Sequence, residues 1–303
     1  MNLRAIAQNQ LHLWIRRSFP LWQRLGVHVV PNHFYFPIPD TRTLDDRLWE
    51  ERSELPGIDM RAPAQLQLLS ELAAGFRAEY DALPRTPTGV AHEYHLDNGL
   101  FGPVDAEMLY AMIRKLAPKR IYEVGSGFST YLAAQAVRKN EADGKTRSEL
   151  VAFEPYPNPV LAAGVPGVTR LERIGAQQIP LSTFAALEEN DILFIDSSHI
   201  VKIGSDVNYL ILDVLPRLRP GVVVHIHDIF LPFEYPKSWV KDSRTFFNEQ
   251  YLLQAFLAFN GAFEVILAGS YLAATQPAAM SAAFRSFQPG AVGPGSFWIR
   301  RRA

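Results

Sequence analysis

The spacing of apolar residues changes character along the chain. Over residues 1–25, Leu3, Ile6, Ala7, Leu11, Trp14, Ile15 and Ser18 fall near one face of a 3.6-residue helix, with Arg16, Arg17 and Arg24 adding positive charge. This segment reads as an arm packed on its own domain or on a second subunit, with a membrane-surface helix as the alternative. Proline then punctuates the chain at Pro31, Pro37, Pro39, Pro56 and Pro63. It fixes φ and removes donors, so residues 26–63 read as ordered, irregular chain with short helices. Helical spacing returns over 64–82 with Leu66, Leu69, Leu72, Ala73, Phe76 and Tyr80.

From about residue 103 a second pattern begins. Asp105 is placed to cap a helix whose apolar face is Met108, Leu109, Met112, Ile113 and Leu116, ended by Pro118. Short apolar runs at 121–124, 150–153, 168–174, 191–196 and 222–226 follow, with helical patterns at 129–139 and 207–218 between them. A further helix is expected at 245–260. Phe263–Ala268 and Phe297–Arg300 read as closing strands separated by a long loop rich in Ala, Gly and Pro. Strands alternating with helices predict an α/β, doubly wound fold with a mostly parallel sheet. The chain divides into an N-terminal arm and cap region, 1–100, and a ligand-binding domain, 101–303.

Composition narrows the function classes. The 30 Lys+Arg and 31 Asp+Glu nearly cancel, so no broad field favours a phosphate backbone and nucleic acid is not an expected partner. With no cysteine, disulfides, thiolate metal sites and a Cys nucleophile are excluded. No stretch is long and apolar enough to span a bilayer, and the start of the chain does not read as a secretory signal, so a cytoplasmic location is expected.

Chemistry concentrates at strand ends. Glu123, Gly125, Ser126, Gly127, Ser129 and Thr130 lie where a strand hands over to a helix. Glycines there free the backbone and let a ligand approach it. Thr130 stands where a dinucleotide fingerprint needs its third glycine, and Glu123 would repel a pyrophosphate but attract an ammonium. The next strand ends in Glu154, beside the first turn in a doubly wound sheet, where a carboxylate can accept both hydroxyls of a ribose. Ammonium at Glu123, backbone room at Gly125–Gly127 and ribose at Glu154 together describe S-adenosylmethionine. Asp196, His199, His225, His227 and Asp228 end the next two strands and face the same edge. Converging imidazoles and carboxylates there serve as acid/base catalysts or as ligands for a divalent metal. His225 reads instead as a buried strand residue.

On these residues, 103–301 resembles the class I S-adenosylmethionine-dependent methyltransferases. Glu123-x-Gly125-x-Gly127 is similar to that superfamily's first motif and Glu154 to its ribose-binding acid. Phe194 to His199, with His225 to Asp228, resembles the branch of catechol-type and sugar O-methyltransferases. The resemblance implies a seven-stranded Rossmann-like sheet closed by an antiparallel hairpin. It implies adenine near Phe153, Pro155 and Gly175–Gln177, with Gln177 and Asp196 among the cofactor-binding residues. In metal-dependent members the ligands are carboxylates or an amide at these two strand ends. Asp196 and Asp228 match them, and His227 stands where oxygen is usual, which shifts the expected metal from magnesium toward iron, zinc or manganese. Without a metal, His199 or His227 takes the acceptor's proton, a task suited to a reference pKa of about 6.5.

The expected function is therefore methylation, most readily at oxygen, of a small-molecule acceptor, with His199, His227 and Asp196 as catalytic residues. Rival readings are a metal-dependent oxygenase or hydrolase on a borrowed sheet, and a non-catalytic binding subunit. A homodimer through the N-terminal arm is also expected. Phe230 to Pro236 with Trp239 reads either as an aromatic lid or as packing. Tyr94, His95, Asp97 and Asn98 are secondary candidates for the acceptor site.

Overall fold

The structure, a computed structural model, describes the backbone of residues 3–303 and the side chains of residues 9–303. It divides into two compact units, one running to Glu50 and including Lys237–Phe246, the other comprising Glu51–Pro236 and Phe247–Ala303. The expected boundary at residue 101 falls inside the second unit.

The smaller unit holds α1 (Leu3–Arg24) and a 3-10 turn, Asp46–Trp49. Asp46 takes ion pairs from Lys237 and Lys241, each at 3.0 Å, and both ammonium groups lie over the Trp49 ring. On α1, Ile15 is buried while Leu11, Trp14 and Leu21 are exposed. Leu3, Ile6 and Ala7 of the expected apolar face lie outside the described side chains.

The larger unit is built on a seven-stranded sheet in the order β3-β2-β1-β4-β5-β7-β6. Its strands are β1 (Arg120–Val124), β2 (Glu149–Phe153), β3 (Arg170–Glu172), β4 (Ile192–Ile195), β5 (Val223–Ile226), β6 (Phe263–Ala268) and β7 (Phe297–Arg301). The first five run parallel, and β7 enters antiparallel between β5 and β6. Strand order reverses at β1 and β4, the place where doubly wound sheets open to ligands. Strand side chains alternate between two cores. Ile121, Leu150, Ile192, Phe194 and Val223 join one with α2 (Ala62–Tyr80), α3 (Pro103–Leu116) and α4 (Phe128–Ala142). Tyr122, Val124, Val151, Leu193 and Ile226 join the other.

Several expectations need correction. Asp105 is not the helix cap: Gly102 takes that position, and Asp105 instead accepts N–H bonds from Gly295 at 3.2 Å and Ser296 at 2.8 Å. The third strand is confined to Arg170–Glu172. After the short helices α5 (Pro159–Ala163) and α6 (Leu181–Phe184), the helix expected at 207–218 breaks into α7 (Asp206–Asn208), a π segment (Tyr209–Val214) and a 3-10 turn (Leu215–Arg217). Pro216 lacks the N–H that a continuous helix needs there. In the smaller unit α8 covers Lys237–Lys241. The helix expected at 245–260 is α9, Glu249–Leu257, and the expected loop before β7 contains α10 (Gly269–Thr275) and α11 (Pro277–Ala283).

Candidate active site

The sheet register sets the site. Val124 pairs with Phe153 and Ile195, and Ile195 pairs with Ile226. The residues that follow, Glu154, Gly125, Asp196 and His227, therefore stand in one row at the carboxyl edge. Neighbouring strands lie about 4.8 Å apart, so the row spans about 14 Å.

At the β1 and β2 ends, main chain organises the polar groups. Gly125 adopts φ +83°, and a Cβ there would lie 1.7 Å from the Asp196 carbonyl oxygen. Its freedom therefore serves close packing of the turn against β4, not ligand approach as expected. Gly127 is the open one: a Cβ there would meet nothing within 4 Å. The Gly127 N–H donates to Thr130 Oγ1 at 3.0 Å, which fixes the entry to α4. Glu154 Oε2 accepts the Ser126 N–H at 3.2 Å and Oε1 the Tyr156 N–H at 2.8 Å. Each carboxylate oxygen keeps capacity for another donor. Glu123 is buried beneath the turn. Its Oε1 accepts the Ser129 hydroxyl at 2.6 Å, while Oε2 is buried without a partner. Burial pushes the Glu123 carboxyl up to about 8, against the hydrogen bonds from Ser129 and Thr130. Ser126 Oγ is likewise buried and unpartnered. Gln177 donates to the Gly204 carbonyl at 2.9 Å.

At the β4 and β5 ends, side chains hold side chains. His199 Nε2 lies 3.1 Å from Asp196 Oδ1 and 3.6 Å from Asp228 Oδ2, and Nδ1 lies 2.9 Å from Glu249 Oε2. The His199 carbonyl accepts the N–H groups of Asn248 and Glu249, so the start of α9 clamps the loop through both backbone and ring. Burial disfavours the His199 cation, but the hydrogen bonds and charges of Asp196 and Glu249 outweigh it and push the ring up to about 10. His199 and Asp228 both have left-handed backbone, φ +58° and +56°. The main chain of Gly295 braces the Asp228 turn: its carbonyl accepts the Ile229 N–H, and a Cβ on Gly295 would lie 2.9 Å from Asp228 Cα.

One ligand atom each from Asp196, His199 and Asp228 lies within 4.8 Å of the others, which is the spacing a single cation bridges. The expected metal set had His227 in place of His199. His227 stands beside this group, Nε2 3.5 Å from Asp228 Oδ1, with Nδ1 buried and unpartnered. Its pKa is raised: burial is outweighed by the charges of Asp196 and Asp228. His225 is wholly buried between Phe194 and Trp298, with Nε2 3.0 Å from Ser296 Oγ, the strand residue it was expected to be.

Two further groups complete the edge. His95 packs edge-on against Phe128 at the glycine turn, and Phe101 lies 4.8 Å from the His227 ring, so residues 95–101 reach both flanks. Tyr94 and Asn98 shape this segment: both donate to the Phe101 carbonyl. Asp97 pairs with Arg85. Phe230, Leu231 and Tyr235 are buried, so that stretch packs inward; the Tyr235 hydroxyl accepts the Gln250 N–H. Glu249 was not anticipated. Its signal in the sequence is an acid opening a helix and spaced four and eight residues before the buried, apolar Leu253 and Leu257.

A family model described as a methyltransferase domain matches residues 122–229, which include both flanks of the row. An uncharacterized protein of Archaeoglobus fulgidus is 35% identical over 178 residues, covering 56% of this chain and 78% of that protein. Among solved structures, CalS11, a TDP-rhamnose 3'-O-methyltransferase of calicheamicin biosynthesis, is 14% identical over 85% of this chain and 99% of that one, with a TM-score of 0.41. CmcI-N160 in its apo-structure is 14% identical over 66% of this chain and 72% of that one, with a TM-score of 0.38. These two are distant likenesses.

Proposed function

We propose that the chain, whose residues 122–229 match a methyltransferase-domain model, is a class I S-adenosylmethionine-dependent methyltransferase in which the row Glu154–Gly125–Asp196–His227 binds S-adenosylmethionine at its β1/β2 end and methylates an oxygen of a small molecule at its β4/β5 end. One observation carries the reading: a hydroxyl-accepting carboxylate, an open glycine and a histidine–carboxylate cluster stand at adjacent strand ends. The cofactor supplies an activated methyl group on a sulfonium.

The residues present fit it. Glu154, held by the Ser126 and Tyr156 amides, is free to accept from ribose hydroxyls. The orphaned Oε2 of Glu123 is a ready acceptor for an ammonium, and Gly127 leaves room for the ligand's chain. Holding nucleophile, methyl carbon and sulfur in line is worth up to about 7–11 kcal/mol.

For acceptor activation, Asp196, His199 and Asp228 would hold a divalent metal. One imidazole with two carboxylates suits iron, manganese or zinc, and such an ion would favour the acceptor's alkoxide or phenoxide form. Glu249, bonded to the far nitrogen of His199, fixes that ring's direction and tautomer, as carboxylates behind metal-bound histidines do. The proton leaving the acceptor goes to the Asp228–His227 pair. The hydrogen bonds and charges of Asp196 and Glu249 favour a proton already on the metal-free His199 ring, which makes it the poorer acceptor for the leaving proton.

Isothermal titration of S-adenosylmethionine and S-adenosylhomocysteine into the purified protein, with mass spectrometry of co-purifying ligands and metals, tests the reading. Micromolar binding that weakens about ten- to a hundredfold in Glu154→Ala is expected. Bound iron or zinc with turnover independent of S-adenosylmethionine would instead support an oxygenase or hydrolase.

A further inference from the structure

Residues 1–39 contain four arginines and neither aspartate nor glutamate, although the whole chain holds 31 acidic residues. Along α1 and its end, Leu11, Trp14, Leu21 and Leu25 are 53, 56, 55 and 64% exposed. They fall at i, i+3, i+10 and i+14, and Ser18 completes the row at i+7. At 3.6 residues per turn these positions share an arc of about 80°. Arg17 and Arg24, one heptad apart and both exposed, border that stripe. Phe34 and Tyr35, 82 and 81% exposed and in tilted ring contact with each other and with His33, add exposed aromatic surface to the same unit.

We infer that this face of α1 docks on an anionic phospholipid surface. An exposed apolar stripe needs a cover, and two occupants have the right shape: a second copy of the helix or a bilayer interface. Charge separates them. Pairing two copies would bring Arg17 and Arg24 against stripe edges that offer no acid, because residues 1–39 contain none. Anionic headgroups supply that missing counter-charge, at about 1 kcal/mol for each arginine near the surface. Indole and leucine side chains suit the headgroup–acyl boundary. No helix among the described residues is long and apolar enough to cross a membrane, so the contact lies in the interface plane. This inference does not depend on the methyl-transfer reading.

The test is co-sedimentation of the full-length protein with vesicles of phosphatidylcholine alone and vesicles with phosphatidylglycerol added. Binding to the anionic vesicles only, weakened by salt, is expected. Arg17→Ala with Arg24→Ala should weaken partitioning about fivefold per arginine removed. Trp14→Glu with Leu21→Glu should abolish it, with the melting temperature unchanged because both side chains are exposed. Failure to sediment with anionic vesicles overturns the inference, as does equal binding to neutral ones. A dimer in analytical ultracentrifugation that the Trp14/Leu21 variant dissolves, without vesicle binding, would assign the stripe to a second copy.

Discussion

At the β1 and β2 ends, the contacts join side chain to main chain a few residues away or across one strand: Glu154 accepts the amides of Ser126 and Tyr156, and Thr130 Oγ1 accepts the amide of Gly127. At the β4 and β5 ends, the His199 ring is held by three carboxylates, one of them Glu249, 50 residues on. The first flank fixes its edge carboxylate, Glu154, through two main-chain amides. The second is a balance of buried charges that changes with every proton or cation added. The proposed function gives binding to the first and chemistry to the second, because a binding site gains from fixed geometry, whereas activating an acceptor requires groups whose charge can move.

The largest expected effect separates the two flanks. His199→Ala should lower methyl-transfer turnover by about 10²–10⁴-fold, the range for losing a positioned activating group. Its affinity for S-adenosylmethionine by calorimetry should stay within a few-fold of wild type. Full turnover in this variant would remove the β4/β5 cluster from the reaction. The converse variant is Glu154→Ala. Hydrogen bonds to a charged group contribute about 1.5–3 kcal/mol, so S-adenosylmethionine should bind about ten- to a hundredfold more weakly, while saturating cofactor restores most of the turnover. Unchanged affinity would show that the first flank is not the nucleoside site.

Glu249→Gln probes how the second flank is held. The amide keeps a bond to His199 Nδ1 but loses the charge. Loss of such a supporting carboxylate typically costs about 10–100-fold in metal affinity, and a retained bond places this variant near the lower end. Turnover should fall at limiting metal and recover with excess. A loss that excess manganese, iron or zinc does not repair would favour a metal-free role for the histidines.

The same difference explains what the sequence could disclose. Glu123, the glycine turn and Glu154 are legible because strand, turn and helix follow one another in the chain, and sheet register alone brings the second strand end beside the first. The ends of β4 and β5 were legible as a location for the same reason. Which histidine meets both aspartates was not. That depends on the left-handed backbone at His199 and Asp228 and on α9 docking against the loop, neither of which leaves a periodic trace. Periodicity also overstated the helix at 207–218, because apolar spacing persists through Pro216 although the hydrogen bonds of a continuous helix cannot. Gly125 showed the opposite fault. Its need for glycine was plain, but the cause is the Asp196 carbonyl behind it, not a ligand in front.

The last expected effect is a pH dependence of stability traced to Glu123. Burial raises this carboxyl from 4.5 to about 8. Between those values the folded protein holds a proton that the unfolded chain has released, so stability falls as pH rises through the window and levels off above it. Glu107, buried and pushed up to about 7, contributes a slope of the same sign. The comparison must therefore be made against Glu123→Gln, whose amide does not titrate while Glu107 is unchanged. The wild type should lose melting temperature relative to Glu123→Gln as pH rises from 5 toward 8. A bound ammonium opposite Oε2 would favour the carboxylate and shrink that difference, so S-adenosylmethionine should stabilise the wild type more at pH 8 than at pH 6, and Glu123→Gln equally at both. A gap between the two proteins that is constant with pH would mean that Glu123 is already ionised beneath the turn, and the first flank would then depend on movable charge in the same way as the second.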